Sequence, residues 1–336
     1  MRILHCADIH IGDSQNIPHN LERQFAAWDE IYRIADKNKC KYVLVAGDLV
    51  DSTTISEKAR AWLNRKILEV HAAYPKITTI LISGNHDVYI STQSMLRIFK
   101  DTSDNFLDRF YIVELKPKLL ELGNLSVFCI PYKKGLTTKK LRSMIHKAHA
   151  KHKGKYFVVM AHFYAQGAVL DNGYDKGGDV KIGEPVWDYF ALGDIHKRQK
   201  MGKMCYYSGS PIQHTFGDKL PKGVIIVDLK QHKVKKVNIE SSNIPRLVTL
   251  KEVPEKWPEN AYVRLKAKKD ISGETLPDSV IQASVVNTSG KVLTAKLGNI
   301  FEGLPELLAD IGFSIKEQKQ AVRIVTRMVK TLDTEE

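Results

Sequence analysis

"SGNHDVY" occupies Ser83–Tyr89 and directly follows "KITTILI", residues 76–82. The apolar, β-branched run reads as a buried strand. A tight turn accounts for Gly84 and Asn85, which tolerate left-handed backbone, and for Asp87, which can bond its own backbone. It gives no reason for His86. The question is whether other polar residues stand in the same structural position.

They do, always just beyond a short apolar strand. "RILHC" is followed by Asp8 and His10, and "YVLVA" by Asp48 and Asp51. After "ITTILI" come Asn85, His86 and Asp87; "YFVVMA" leads to His162, and "YFALG" to Asp194 and His196. Between the first three strands, residues 21–37 carry Leu21, Phe25, Trp28, Ile31 and Ile34 at helical spacing, and 56–71 carry Ala59, Leu63, Ile67 and Val70. This alternation predicts an α/β domain. Side chains beyond the carboxyl ends of adjacent strands converge on one crevice. If the D-x-H pairs are extended, residues two apart point the same way, so Asp8 with His10 and Asp194 with His196 would each reach one centre.

A lone D-x-H or G-D is usually a turn, and a lone histidine such as His162 is usually a satisfied core residue. Five such pieces in order at strand ends favour metal binding. Carboxylate, imidazole and amide ligands without thiolate suit manganese, iron or zinc better than a cysteine-rich structural site. Asp8, His10, Asp48, Asn85, His162, Asp194 and His196 are too many for one ion. Two ions ~3.5–4 Å apart and bridged by a carboxylate would use them all and suit phosphoester hydrolysis. Asp51 is open between ligand and loop anchor.

The motifs D-x-H-x-G, G-D-x-x-D, G-N-H-D, A-H and A-L-G-x-I-H resemble those of the calcineurin-like metallophosphoesterase superfamily. "YFALGDIHKRQ", "YYSGSPIQHTFGD" and "GVIIVDL" resemble, more narrowly, the SbcD-type nucleases of double-strand-break repair. The resemblance covers about residues 1–240 and extends loosely through "AYVRLKA". It implies a four-layer sandwich, two β-sheets flanked by helices, with a small α+β capping domain and a C-terminal helical hairpin. It also implies that Asp8, His10 and His196 hold one ion and Asn85, His162 and Asp194 the other, with Asp48 bridging. Mn²⁺ is the expected ion, with Mg²⁺ as an alternative. His86 would face the substrate phosphate, and Asp87 would orient His86. The activities implied are 3′-to-5′ exonuclease on double-stranded DNA and single-strand endonuclease. The partners implied are DNA and an SMC-like ATP-binding-cassette ATPase of the SbcC type, around a homodimer within a heterotetramer.

The boundaries expected are 1–240 for the nuclease domain, 247–298 for the capping, DNA-binding domain, and 299–336 for a partner-binding helical segment. The polar "IESSNIPR" (239–246) reads as a linker. The hairpin reading rests on Phe301, Leu304, Leu307, Leu308 and Ile311, then an S-x-x-E capping box at Ser314 and Glu317 ahead of Val322, Val325, Val329 and Leu332.

The net charge of +13 is uneven. Residues 240–336 hold as many acids as bases, so the excess lies entirely in 1–239, which points to a polyanionic partner. Between Tyr132 and Tyr156 there are nine Lys and Arg and no acid, including Lys133, Lys134, Lys139, Lys140 and Arg142. A solvated helix face normally carries paired acids as well, so this segment is a candidate phosphate-backbone surface. Lys197 and Arg198 follow the last metal motif and are expected at the mouth of the site. The four scattered cysteines suggest a reducing compartment, and the resemblance implies the cytoplasm of a bacterium or of a phage-infected host. No apolar run is long enough for a membrane helix, and the first residues enter a strand with no signal-peptide pattern.

One rival is a phosphomonoesterase or protein phosphatase of the same superfamily; those typically show G-D-x-x-D-R-G and G-N-H-E, where this chain has Ser52, Thr53 and Asp87. The other is a DNA-binding scaffold with a degenerate site, which the near-complete ligand set opposes. The chain departs from the family at Asp194, where many members have histidine; the alternative role for Asp194 is a turn cap beside a weak second ion. Carboxylate is the harder ligand and adds negative charge. Asp194→His should therefore keep activity while shifting the ratio of rates in Mn²⁺, Mg²⁺ and Co²⁺; an unchanged ratio would remove residue 194 from the ligand set.

Overall fold

The computed structural model describes residues 1–12, 17–90, 93–100, 107–175, 177–178, 180–267, 275–286 and 292–293. The chain divides into two compact units, Met1–Arg246 and Leu247–Glu336.

In the first unit, short apolar strands pair into two six-stranded sheets. The first contains β1 (Arg2–Cys6), β2 (Tyr42–Ala46), β3 (Thr78–Ile82), β6 (Phe110–Val113), β13 (Gly223–Asp228) and β14 (Lys233–Asn238), in the order β14-β13-β1-β2-β3-β6. The second contains β7 (Lys118–Leu122), β8 (Leu125–Ile130), β9 (Tyr156–His162), β10 (Tyr189–Gly193), β11 (Gln199–Gly202) and β12 (Cys205–Tyr207), in the order β11-β12-β10-β9-β8-β7. A small hairpin of β4 (Val88–Ile90) and β5 (Gln93–Ser94) follows the GNHD turn.

Strand alternation builds the layers. Ile3, Leu44, Ile80, Val158, Met160 and Ala191 point between the sheets into one core. Their neighbours Leu4, Val43, Val45 and Leu81 point outward, under α1 (Asn20–Lys37) and α2 (Glu57–Ala73). On the far side, Phe157, Val159 and Phe190 pack under Leu141, Ile145 and Ala148 of α3 (Thr138–His149). Central strands buried on both faces read as continuous apolar runs for this reason. The result is the four-layer sandwich with flanking helices that the motifs implied. All four cysteines are buried free thiols.

β1, β2 and β3 run parallel to one another, and so do β8, β9 and β10. The carboxyl ends of β1, β2 and β3 therefore lie along one edge of the first sheet, and those of β9 and β10 along one edge of the second. Every strand end that carries a candidate ligand is among these five.

The segment expected to be a free linker is packed down. Ile239 and Ile244 are buried in the first unit's core, and Arg23 Nε donates to the Pro245 carbonyl at 3.1 Å. The second unit carries a four-stranded sheet of β15 (Arg246–Leu250), β16 (Ala261–Ala267), β17 (Val280–Val286) and β18 (Val292–Leu293). Val263, Leu265 and Val280 form its small core, with Trp257 against them. The helical hairpin expected over 299–336 lies outside the described residues.

The inter-sheet core should dominate stability. Ile80 is fully buried there, so Ile80→Ala should cost about 2–5 kcal/mol, read from the denaturant midpoint. A cost below about 0.5 kcal/mol would mean the two sheets do not share this core.

Candidate metal centre

Two loops, after β1 and after β2, are joined by backbone hydrogen bonds. The amides of Asp8 and Ile9 donate to the carbonyls of Gly47 and Asp48 at 3.0 and 2.9 Å. His10 N donates to Asp48 O at 3.1 Å, and Asp51 N returns a bond to Ile11 O at 3.1 Å. Along these loops the backbone is not extended. Asp8, His10 and Asp48 have φ of 55°, 52° and 49°, and Asp194 has φ of 103°. The simple D-x-H picture of alternating strand positions fails here: Asp8 and His10 are aimed by left-handed turns that the neighbouring loop holds in place. A non-glycine residue in that region costs of order 1–3 kcal/mol, and such residues cluster at functional sites.

The site's packing leaves no room for side chains at two glycines. A Cβ on Gly84 would stand 2.0 Å from Asp48 Oδ1, so only glycine lets the GNHD turn close onto that carboxylate. Gly47 has φ of +92°, and a Cβ there would meet the ring of His162.

Asp48 sits at the centre. Its Oδ1 accepts the His86 amide at 2.9 Å. Its Oδ2 lies 3.6 Å from His10 Nε2 and 3.3 Å from His162 Nε2. Ligand atoms of His10, Asp48 and His86 form one close group and those of Asp8, Asp48 and His162 another, with Asp48 common to both. This grouping places Asp8 beside His162 and His86 beside His10, unlike the partition the resemblance implied.

Around His162 the acceptors outnumber the donors. Its Nδ1 faces the Ala46 carbonyl at 2.8 Å and so carries the proton. Its Nε2 then faces Asn85 Oδ1 at 2.9 Å, Asp48 Oδ2 at 3.3 Å and Asp194 Oδ1 at 3.7 Å. Asp8 Oδ1 accepts the Asp194 amide at 2.9 Å, while its buried Oδ2 has no hydrogen-bond partner. Burial pushes the Asp8 carboxyl up to about 8, helped by Asp48 and Asp194 and opposed by His162. Burial disfavours a charged His162, yet Asp48, Asp194 and Asp8 outweigh it and raise its pKa well above the ordinary value. A converging set of oxygens around one imidazole nitrogen, with an orphaned carboxylate oxygen, fits a divalent cation, which would take the place of the Nε2 proton.

The other side is rich in imidazole. His10 Nε2 and His196 Nε2 face each other at 3.1 Å. Burial drives the His10 pKa well below the usual value against the pull of Asp48, and burial lowers His196 too, so both rings stay neutral and can offer lone pairs. Asp51 lies at this edge, its Oδ1 3.7 Å from His10 Nδ1.

Asp87 does not orient His86. Its fully buried carboxylate accepts the backbone amides of Gly84 at 2.7 Å, Val50 at 3.0 Å and Leu49 at 3.4 Å. It pins the GNHD turn to the loop after β2. The exposed imidazole of His86 donates from Nδ1 to the Asp51 carbonyl at 2.6 Å, which sets its tautomer instead.

One residue escaped the sequence reading. His214 is buried with its ring about 5 Å from those of His10 and His196, and its Nε2 donates to the Asp8 carbonyl at 2.9 Å. Burial, with His196, lowers its pKa to about 3, so it is a neutral donor that braces the turn at Asp8. It stands in "SPIQHTFGD", well past the end of β12 rather than directly after it, so the strand-end rule could not find it.

Of the basic residues, Lys133 and Lys134 follow Tyr132, whose ring lies 6.4 Å from that of His162. Lys139, Lys140 and Arg142 are exposed on α3, which packs on the outer face of the second sheet. Lys197 and Arg198 are half-buried beside His196. A cavity of about 990 Å³, lined by Arg2, Lys203, Tyr206 and Lys233 among others, takes in none of the candidate ligands.

Asp87→Asn puts an amide N–H where a backbone N–H now donates. It should lower stability by about 1–3 kcal/mol, whereas His86→Ala, at an exposed ring, should leave the melting temperature nearly unchanged. Equal melting temperatures for Asp87→Asn and the parent chain would return Asp87 to a purely catalytic role.

Residues 1–208 match the family model described as calcineurin-like phosphoesterase. The SbcD component of the SbcCD nuclease from Staphylococcus saprophyticus is 24% identical over 70% of this chain and 67% of its own length. The corresponding SbcD component from Rhodobacter capsulatus is 24% identical over 68% of this chain and 66% of its own. The chain thus spans about two thirds of the length of these relatives. Among solved structures, the phosphoesterase Yfce from E. coli aligns over 70% of this chain and 96% of its own at 12% identity, with a TM-score of 0.31, too distant to bear on the site. Its strand-end motifs, its sandwich and the match across 1–208 agree: the chain belongs to the calcineurin-like phosphoesterase family.

Proposed function

We propose that this chain is a two-metal DNA nuclease, a 3′-to-5′ exonuclease on double strands and an endonuclease on single strands, that processes DNA ends in repair and recombination. The gathering of residues from five strand ends around Asp48, His10 and His162 carries the reading, and the nuclease names of its relatives support the substrate class. Residues 1–240 form the nuclease domain, 247–298 a capping, DNA-binding domain and 299–336 the segment that binds an SMC-like ATPase, within a dimer-based assembly.

His10 and His196 hold one ion, and Asn85, His162 and Asp194 hold the other. Asp48 would serve both, and Asp8, which lies beside His162 with Oδ2 unpartnered, would turn that oxygen to the first set. Mn²⁺ suits this mixture of carboxylate, amide and imidazole, and Mg²⁺ is the alternative. Bound ions supply neutralisation of phosphoryl charge and an acidified water. The chain's own part is positional and protonic. His86, fixed through Nδ1 by Asp51, keeps Nε2 for the substrate, where its protonated form donates to a phosphoryl or leaving oxygen. The excess base of residues 1–239, including Lys133, Lys134, Lys139, Lys140, Arg142, Lys197 and Arg198, draws in the phosphate backbone.

Asp48→Ala should abolish cleavage and reduce bound metal from two ions towards none, measured by elemental analysis; two ions retained would sink the bridging role. His86→Ala should bind metal as the parent does yet lose on the order of 10²–10⁴ in rate, with no rescue by excess Mn²⁺. Asn85→Ala should be partly rescued. Single- and double-stranded DNA and p-nitrophenyl phosphate assayed in parallel, in Mn²⁺, Mg²⁺ and Zn²⁺, decide the substrate. Turnover of the monoester alone would mean a phosphomonoesterase.

A further inference from the structure

Beside His196 the surface forms a pocket of about 370 Å³. Four separate segments build it: Asp171 and Gly173, Lys197 and Arg198 after β10, Lys219 and Lys222 before β13, and Lys236 with Asn238 on β14. Five cations surround the pocket, and a single carboxylate, Asp171, lines it.

Asp171 is already engaged. It pairs with the buried Lys222 at 2.6 Å, and the same Lys222 Nζ donates to the His196 carbonyl at 2.9 Å. Lys222 thus ties the pocket wall to the backbone of a candidate ligand. The other four cations have no such compensation. Arg198 is half-buried and donates to Asn238 Oδ1 at 3.2 Å, and burial lowers its pKa. Among the described residues, no carboxylate forms an ion pair with Lys197, Arg198, Lys219 or Lys236. A solvated lysine face spreads its charges and intersperses acids. Here four uncompensated cations from distant parts of the chain are held around one concavity, an arrangement that repels itself until an anion enters.

The volume suits a phosphate with its sugar. The position narrows the anion further, because His196 belongs to both the pocket and the candidate metal centre. A group bound here lies next to a phosphorus reacting there.

We propose that this pocket holds a phosphodiester flanking the scissile one, and that it is the subsite by which the enzyme prefers a polynucleotide to an isolated phosphoester. This rests on the nuclease reading. A mononucleotide product offers the same phosphate chemistry, and the test separates the two sources.

Lys219 and Lys236 are both exposed, so Lys219→Ala/Lys236→Ala should fold as the parent does. Binding of a fluorescent single-stranded oligonucleotide is measured by anisotropy in EDTA over a range of salt. Hydrolysis of the same oligonucleotide and of bis-p-nitrophenyl phosphate, a diester with no flanking phosphate, is measured in Mn²⁺. The variant should bind about 10–100-fold more weakly at low salt, with a log–log salt slope shallower by about 1–2. Its kcat/KM on the oligonucleotide should fall in step, its kcat/KM on bis-p-nitrophenyl phosphate should stay within about twofold, and inhibition by dTMP should be unchanged. Unchanged oligonucleotide binding, or an equal fall on both substrates, overturns the subsite alone. A dTMP inhibition constant that rises with the loss of binding overturns the flanking-diester assignment in favour of a product pocket. If the parent chain hydrolyses bis-p-nitrophenyl phosphate but cuts no oligonucleotide, the nuclease reading fails, and the subsite with it.

Discussion

The buried carboxylate of Asp48 is the constraint around which the strand ends are arranged. An ionised carboxylate without compensation would cost several kcal/mol at this depth. The chain compensates it on both oxygens: the His86 amide donates to Oδ1, and the imidazole of His162 lies against Oδ2. Burial works against ionisation, but His162 above all outweighs it and keeps the carboxyl well below its usual range. The left-handed backbone at Asp48 and the bare Cα of Gly84 follow from the same requirement, since both let neighbouring loops approach one side chain.

That requirement orders the surroundings outward. Asp87 anchors the turn that delivers the His86 amide. His214 anchors the turn at Asp8 through its carbonyl. Neither residue need touch substrate for its loss to be felt. Both convert flexible loops into fixed positions by satisfying backbone groups that water cannot easily reach. The inter-sheet core then sets the register between the two sheets, so that the ends of β1, β2 and β3 meet those of β9 and β10.

Much of this was legible in the sequence, for a physical reason. Strands buried on both faces write themselves as apolar runs, and the candidate ligands are among the first polar residues after each run. "YVLVA", "ITTILI" and "YFALG" therefore located Asp48, Asn85, His86 and Asp194 without a structure. What could not be read was the backbone between ligands. Asp8 and His10 share a site although their turn is left-handed, because bonds from the β2 loop impose that geometry. Asp87 and His214 were misread or missed because their partners are backbone groups far away in sequence, which no local pattern encodes. The stretch 239–246 looked like a linker by composition, yet Ile239 and Ile244 are enough to seat it on the core.

The two halves of the centre differ in kind, and Asp194 sharpens the difference. On one side Asp8, Asp48 and Asp194 gather with Asn85 around a single imidazole, His162. On the other, the rings of His86, His196 and His214 cluster about that of His10, which faces Asp48. Oxygen-rich sets favour hard ions that keep several waters, whereas imidazole-rich sets favour borderline ions. A histidine at 194 would make the two sides more alike. With aspartate there, the carboxylates near His162 repel one another more strongly in the absence of a cation, which adds to the burial that chiefly raises the Asp8 pKa. The oxygen-rich side should then depend on its ion more than the imidazole-rich side does, because only a divalent charge relieves that repulsion. Asp194 is also a quarter exposed, so water screens part of its charge and tempers the effect. The substitution thus shifts the balance between two unlike positions without removing either.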